Sequence, residues 1–593
     1  MSKWMIAAKK ADFDYISKKF GISPVTARLI RNREVIGDEQ IEVFLKGNMS
    51  GLHDPHLMTD MDEAAQNMKA VIEAGNKVRI IGDYDVDGIC SSYILLAGLR
   101  FAGADVDCVL PNRIEDGYGI NNKLIDNAFD DGIDTIITCD NGIAAAAQVE
   151  HALGKGMNII ITDHHEVPFE MLEDGTLREI LPAAPAVVDP KRKDSKYPFP
   201  EICGAVVAYK FLQVLFELMN PGNEDERAEL FRELIVFAGF ATVCDVMELK
   251  DENRIIVREA LKQIGTCRNA GLRALIHVNG LEDKAISCYH FGFVLGPCLN
   301  ATGRLDSAMR GLELLCTTDR TQAAQMAADL KGLNDDRKNM TQLGVDAASQ
   351  IVDNYGDNIP DVLVIYLKDC HESIAGIIAG KIKEKYVRPT IILTDGKDGA
   401  KGSGRSIESY DMFMELSACK DLFTKFGGHK MAAGLSLPKE NIDLLRDRLN
   451  KASKLTEADF VPVEHIDMEM PLKYASIELV KEFNVLEPFG NGNPRPSFAT
   501  RNVHLLSGRI LGKNRNCGKY RICDDSGLHY DMMYFGDMEK WHEFLTEKYG
   551  SENVTKLYDG SLRAEMTVNA LYYPDINAYQ GRENLQIILQ DYQ

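Results

Sequence analysis

The stretch Arg79-Ile80-Ile81-Gly82-Asp83-Tyr84-Asp85-Val86-Asp87-Gly88-Ile89 decides how the rest of the sequence is read. Val78 to Ile81 has the composition of a short buried strand. A Gly-flanked turn follows with aspartates at alternate positions, and an Ala/Leu/Ile-rich helix is expected from about Ile89 to Phe101. Three carboxylates within five residues repel one another, so a fold that keeps them together calls for a cation. Hard oxygen ligands at a strand-to-helix turn suit a divalent metal. The competing reading is a solvated acidic turn.

Working outward, residues 51 to about 250 alternate strand with helix, the pattern of a mainly parallel sheet covered by helices. Strands are expected at Asp105–Leu110, Asp134–Cys139 and Met157–Thr162. The last two run into Asp140-Asn141-Gly142 and Asp163-His164-His165-Glu166. In an open parallel sheet, ligand sites lie beyond the carboxyl ends of the strands. Asp83, Asp85, Asp87, Asp140, His164 and His165 all fall at such ends, so one edge can collect them. Successive residues of an extended chain point to opposite sides, which gives the two histidines different tasks, one as ligand and the other facing substrate. Taken singly, Asp-Asn-Gly is an ordinary turn and His-His is ordinary surface; their joint placement is what argues for a site. The apolar run Leu234–Val243 delivers one more carboxylate, Asp245, which needs a partner because an unpaired buried charge is costly. A metal is one such partner and a helix-capping role is the other.

Composition bounds the possibilities. The 593 residues are 45% hydrophobic and 26% charged, a globular chain of about three to five domains. No apolar run has membrane-spanning length, and Met1–Lys10 lacks the hydrophobic core of a signal peptide. Thirteen cysteines lie scattered without a Cys-x-x-Cys pair, the usage of reduced thiols in a cytoplasmic protein rather than a disulfide frame. The net charge of −22 argues against a protein that coats polyanions generally, while leaving room for a local basic channel.

Residues 1–50 read as a small helical segment, with helical spacing in Phe13–Phe20, Pro24–Arg33 and Asp38–Leu45. Arg28, Arg31 and Arg33 after the Gly21 break resemble a helix-turn-helix; a packing appendage is the commoner meaning. Thr321–Tyr355 has the composition of a long helix bridging two lobes. A second α/β unit follows, with strands at 361–367 and 390–394, a helix over Ser373–Tyr386 and the segment Gly402-Ser403-Gly404-Arg405-Ser406. Such a segment can bring N–H, hydroxyl and guanidinium groups around a phosphate. From about 453 onward, evenly spaced short runs (Val503–Ile510, Tyr520–Cys523, His529–Phe535, Leu562–Leu571, Leu585–Leu589) read as a small β-barrel. Arg501, Arg509, Lys513, Arg515, Lys519 and Arg521 are its basic run. Tyr520, Tyr530, Tyr534 and Phe535 lie near it, as stacking faces for a single strand or as core and loop residues.

Asp-Tyr-Asp-Val-Asp-Gly (83–88), Cys-Asp-Asn-Gly (139–142), Thr-Asp-His-His (162–165) and Val-Cys-Asp-Val (243–246) resemble, in order, the four motifs of the DHH phosphoesterase superfamily. The resemblance is strongest to its RecJ family of single-strand-specific 5′→3′ exonucleases. It continues through Gly296–Leu305, His371–Ile377, Gly402–Ser406, Gly427-Gly428-His429 and Leu486–Pro494, and so covers nearly all of the chain. It implies an α/β protein with a DHH parallel-sheet domain (51–310), a connecting helix (311–356), a DHHA1 substrate-binding domain (357–452) and an OB-type barrel (453–593) behind the N-terminal segment. It further implies two Mn²⁺ or Mg²⁺ ions held by Asp83, Asp85, Asp87, Asp140, His164 and Asp245, with Asp140 bridging and His165 at the scissile phosphate. Arg113, Arg304, Ser403, Arg405 and His429 would bind substrate, single-stranded DNA with a 5′ end, in DNA repair and recombination. A helicase and a single-strand-binding protein are the partners it implies. Two positions depart from the family pattern. Ile81 stands where many DHH enzymes carry a histidine, which leaves Asp83 to substitute as a ligand, and Cys298 stands where an arginine is expected. Two other activities of the superfamily compete: a phosphodiesterase for short oligonucleotides or cyclic dinucleotides, and a non-catalytic replication factor. Retention of Asp85, Asp87, Asp140, His164 and Asp245 argues against the second, and the long C-terminal barrel against the first.

Overall fold

The computed structural model describes residues 1–593 except Met1, Glu173, Asp398, Lys513 and Gln580; Lys513 of the basic run therefore lies outside the described residues. The chain forms two compact units, residues 47–460 with 490–492, and residues 1–46 with 461–489 and 493–593.

The first unit is built on a parallel five-stranded sheet of β1 (Lys77–Ile81), β2 (Asp105–Val109), β3 (Thr135–Cys139), β4 (Asn158–Thr162) and β5 (Ala186–Val188), in the order β2-β1-β3-β4-β5. Isoleucine and valine fill β1, β3 and β4 on both faces because helices cover both sides, as parallel sheets require. The order reverses between β1 and β3, so the crevice beyond their carboxyl ends is the switch point at which such sheets bind ligands. Helix α1 (Val86–Phe101) buries thirteen of its sixteen residues, wedged against α2 (Gly204–Met219) and α3 (Glu224–Cys244). It begins three residues earlier than the sequence pattern implies. Asp85 is its N-cap, accepting from the Asp87 and Gly88 N–H groups (2.9 and 3.1 Å). Asp87 therefore sits in the first turn rather than in a loop.

Helix α4 (Gly296–Leu305) leads through a separate helix, Met309–Cys316, to α5 (Arg320–Asp353). At 34 residues, α5 runs about 50 Å. It touches α4 at one end and α6 (Ala375–Tyr386) at the other, and so ties the parallel sheet to a second, mixed sheet. That sheet comprises β6 (Leu363–Tyr366), β7 (Thr390–Gly396), β8 (Gly399–Arg405), β9 (Lys425–His429) and β10 (Ala432–Leu437), in the order β9-β10-β8-β7-β6. The Ser403–Arg405 segment is strand β8, paired on both edges.

In the second unit, five strands of a six-stranded sheet close a barrel because Phe498–Leu511 pairs with both Cys517–Cys523 and Thr567–Tyr579; the sixth, Met468–Glu469, pairs only with Phe498–Ala499. The N-terminal segment holds the three expected helices and also a strand, Lys3–Ile6, parallel to Val463–Ile466. Its arginines do not form a reading head. Arg33 is buried, donating to Asn493 Oδ1 (2.6 Å) and lying 3.3 Å from Asp467, and Arg28 lies over the Phe13 ring (4.8 Å). The packing appendage is the reading that holds. Two of the four expected stacking aromatics are core residues: Tyr520 accepts from the Trp541 indole N–H (2.7 Å), and Tyr534 is buried beside that indole. Alternation along the strands, not solvent access, put them there. Tyr530 is half-buried and Phe535 is exposed. Arg501, Lys519 and Arg521 pair with the barrel's own Glu469 and Asp531 at 2.9–3.0 Å, leaving Arg509 and Arg515 exposed without such partners among the described residues.

None of the thirteen cysteines is in a disulfide, and among the described residues no helix is long and apolar enough to cross a membrane.

Candidate metal centre and phosphate cavity

Each acidic side chain reaches the crevice by a separate local device. Asp83 and Asp85 leave β1 with α1's N-terminus behind them. Asp87 turns back and accepts from the N–H groups of Gly204 and Ala205 (2.7 and 2.9 Å) at the start of α2, where the helix end favours a carboxylate. Gly204 is required there, because a Cβ would lie 2.8 Å from the Asp140 Cβ. Asp140 follows β3 in the left-handed region at φ 60°, a conformation tolerated by Asp more readily than by most residues. Asn141 is no ordinary turn residue. Fully buried, it donates to the Ile81 and Cys139 carbonyls (3.0 and 2.9 Å) and accepts from the Ile120 N–H (3.0 Å), which ties β1, β3 and the 113–120 loop together. Asp245 caps α3, and Val246 after it is also left-handed, φ 58°.

Three overlapping groups have donor atoms within 4.8 Å of one another: Asp83, Asp85 and Asp140; Asp87, His164 and Asp245; and Asp140 with His164 and His165. His164 is the hub of the second, its Nε2 lying 3.0 Å from Asp140, 3.5 Å from Asp87 and 3.8 Å from Asp245. Burial, followed by repulsion from Asp85, pushes Asp83 up to about 8. Burial, followed by Asp87 and Asp85, does the same to Asp245, also to about 8. Asp85 and Asp140 are raised for the same two reasons. Burial lowers His164 and so favours a neutral imidazole with a lone pair. Asp83 Oδ1 and His164 Nδ1 are buried with no hydrogen-bond partner among the described residues. Crowded carboxylates, an orphaned carboxylate oxygen and a neutral imidazole fit hard divalent cations such as Mn²⁺ or Mg²⁺.

His165 points elsewhere. Its Nδ1 is 2.7 Å from Asp163, and its ring lies 3.1 Å from the Tyr118 hydroxyl. Burial alone would lower its pKa; Asp163 outweighs that and raises it to about 9. Asp163, Tyr118 and Gly204 escaped the sequence reading. Asp163 is part of the Thr-Asp-His-His motif, and its position at the end of β4 was the available signal. Tyr118 donates to the Asp140 carbonyl (2.9 Å) and lines both of the cavities that flank the cluster. Neither of the two departures from the family pattern faces this space: Ile81 is core, and the fully buried Cys298 thiol donates to the Val294 carbonyl (3.3 Å).

One cavity, of about 560 Å³, contains His164, His165, Asp245 and, from the mixed sheet, His429. The other, of about 520 Å³, collects Arg113, Arg304, Ser403 and Arg405. His429 is thus apart from the arginines. The Arg304 guanidinium donates to the Ser373 carbonyl (2.7 Å) and Arg405 to the Ser403 hydroxyl (2.9 Å), while Arg113 stacks on Tyr84 at 4.8 Å. None of the three arginines pairs with a carboxylate among the described residues. Burial first, then mutual repulsion with Arg113, lowers Arg304 to about 10 and also lowers Arg405. The planar guanidinium forks of such a cavity suit a phosphate dianion.

The comparisons with known proteins agree with this architecture. The DHH family N-terminal domain matches residues 77–237, the DHHA1 domain 360–454 and the RecJ OB domain 466–591. The single-stranded-DNA-specific exonuclease RecJ of Bacillus subtilis is 34% identical over 515 residues, 86% of this chain but 63% of that protein. The chain thus spans less than two thirds of that relative. The protein of the same name from Salmonella typhimurium is 31% identical over 589 residues, 96% of each. A crystal structure of Thermus thermophilus RecJ in complex with Mn²⁺ matches with a TM-score of 0.80 at 23% identity, over all of this chain and 79% of that one, which establishes the shared fold. From motif order, domain order and a relative matched from end to end, the chain belongs to the RecJ family of DHH phosphoesterases.

Proposed function

We propose that the protein is a metal-dependent exonuclease that removes nucleoside 5′-monophosphates from the 5′ end of single-stranded DNA, in repair and recombination. The observation that carries this reading is the pairing of the carboxylate–histidine cluster with an uncompensated arginine cavity, the two joined at Tyr118. Asp83, Asp85 and Asp140 would hold one divalent cation, and Asp140, Asp87, His164 and Asp245 a second. Bound there, the two ions supply an activated water and neutralise charge on the phosphate.

The chain's own residues do the rest. Arg113, Arg304, Ser403 and Arg405 grip the terminal 5′-phosphate and fix which phosphodiester reaches the cluster. Hydrolysis joins the water oxygen to phosphorus and breaks the bond to the 3′-oxygen. The terminal nucleotide then leaves with its own 5′-phosphate, and the shortened strand presents a new one for the same cavity. Asp163 keeps His165 oriented and protonated, ready to hydrogen-bond a non-bridging oxygen as it gains charge. Burial keeps His164 neutral for its role as ligand, and His429 contacts the strand on the far side of the cluster. The substrate has to arrive single-stranded, so a helicase that exposes the end and a protein that keeps the strand unpaired are the partners of this reading, acting on DNA in the cytoplasm.

The test uses purified protein, 5′-phosphorylated single strands and blunt duplex, with Mn²⁺ or with a chelator. Mononucleotides from the 5′ end of the single strand alone, and only with metal, are expected. Equal digestion of blunt duplex without a helicase would refute the reading.

A further inference from the structure

The helix that ends near Arg304 begins well before it. A turn at Cys288–His290 runs into a π-helical segment, Phe291–Leu295, and then into α4. π segments are rare and concentrate at functional sites. Here Phe291 is fully buried against Phe240 (4.9 Å between ring centroids). Tyr289 and Phe293 face outward, 63% and 70% exposed, with their rings stacked 5.4 Å apart and 25° from parallel. Single exposed apolar side chains are unremarkable. Two stacked rings form a flat π surface.

The segment that carries this surface packs against the residues flanking Asp245. Cys288 clusters with Val243 and Leu249, residues on either side of Asp245. The Cys244 thiol donates to the Phe291 carbonyl (3.6 Å), and a Cβ on Gly292 would meet the Val243 Cγ1 at 3.6 Å, in ordinary contact. One continuous helical run therefore carries the ring pair at one end and Arg304 of the arginine cavity at the other, with the Asp245 turn packed against its π segment.

We propose that Tyr289 and Phe293 form a stacking platform for nucleobases of the strand passing the cluster, a base site separate from both the carboxylates and the arginine cavity. The inference rests on the single-strand exonuclease reading. Aromatic faces hold any base, because every base has a π face, so the platform suits an enzyme that proceeds without sequence preference. A docked protein is a poor occupant, since a stable interface needs about 800 Å² from each partner and an aromatic side chain offers roughly 150–250 Å².

The test compares wild type, the Tyr289→Leu/Phe293→Leu double variant and Tyr289→Phe on 5′-phosphorylated oligothymidylates, one a dinucleotide and one long enough to pass the cluster, and on a long strand carrying 2-aminopurine. KM for the long strand should rise in the double variant by about tenfold more than KM for the dinucleotide. The stacking quench of 2-aminopurine should disappear in the double variant, and Tyr289→Phe should retain both properties. An equal loss at both lengths, no loss, or a persisting quench would overturn the platform. Wild-type protein that leaves single strands intact would instead sink the exonuclease reading on which it rests.

Discussion

Replacing Asp140 by Asn should make the metal-free protein more stable while abolishing its response to metal. Asp140 sits among Asp83, Asp85, Asp87 and Asp245, and asparagine keeps its shape and tolerates φ 60°. The sign follows from proton linkage. Asp83 and Asp245 are raised from 3.8 to about 8, so the folded state holds protons that the unfolded state releases. That contribution is fully present below 3.8 and is lost as pH rises through 8. Each group changes stability by about 1.4 kcal/mol per pH unit inside the window, so metal-free wild type should lose about 5 kcal/mol between about pH 5.5 and about pH 7.5. Asp140 is itself raised, by burial and then by Asp87 and Asp85, so folding near pH 7.5 must bind its proton; asparagine carries no such cost, a gain of roughly 2 kcal/mol or more. Denaturant unfolding of both proteins, in chelator and in Mn²⁺, measures all of this. Wild type should be strongly stabilised by Mn²⁺ at the higher pH, and Asp140→Asn hardly at all. If metal-free Asp140→Asn is the less stable protein at the higher pH, or if it keeps the full response to Mn²⁺, the account of this cluster as a cation site is wrong.

The two histidines should separate in kinetics: His165→Ala lowers turnover by about 10²-fold or more with the metal requirement intact, whereas His164→Ala first raises the Mn²⁺ concentration needed for activity. Arg405→Ala removes a charge-assisted contact and should cut the preference for 5′-phosphate over 5′-hydroxyl ends by about tenfold or more; an unchanged preference, measured on paired substrates, would move the phosphate site. Gly204→Ala places a Cβ 2.8 Å from the Asp140 Cβ and 3.1 Å from Asp87 Oδ2, so it should reduce Mn²⁺-dependent stabilisation and cost about 1–3 kcal/mol by denaturant unfolding. Lys210→Ala strands the fully buried Glu252 partnered at 2.9 Å and should cost about 3–5 kcal/mol, a loss that Glu252→Gln in the same chain largely recovers.

Much of the centre was legible because strand ends in a parallel sheet are marked by composition: a run of Ile and Val stops, and a polar residue begins. That rule delivers Asp83, Asp140 and His164 from β1, β3 and β4 without any coordinates. It misses β5 because Ala186–Val188 is too short to show a period. With β5 it misses Asp189 at that strand's end, which burial, and then Asp163, pushes up to about 8. Contacts across long sequence distances left no local signal: the capture of Asp87 by the start of α2, and the meeting of Arg113 with Arg405. In the barrel, alternation was visible, but not which face turned inward, so Tyr520 and Tyr534 could serve as stacking faces or as core, and they proved to be core.

The discontinuity of the second unit has a consequence for the order of synthesis. Ile16, Leu29, Ile30 and Phe44 complete a core with Leu472, Phe483 and Phe498, yet residues 47–460 intervene in the chain. At about 5–20 residues per second the ribosome needs roughly 20–80 s to cross that interval. For that time the apolar faces of the first three helices have no native partner, while the first unit can already assemble around its own sheet. The strand Lys3–Ile6 likewise waits for Val463–Ile466 before its hydrogen bonds close. These three helices therefore find their place only after the residues beyond 460 have been made, and a chain released before then would carry a nearly whole first unit beside sticky, unpaired helices.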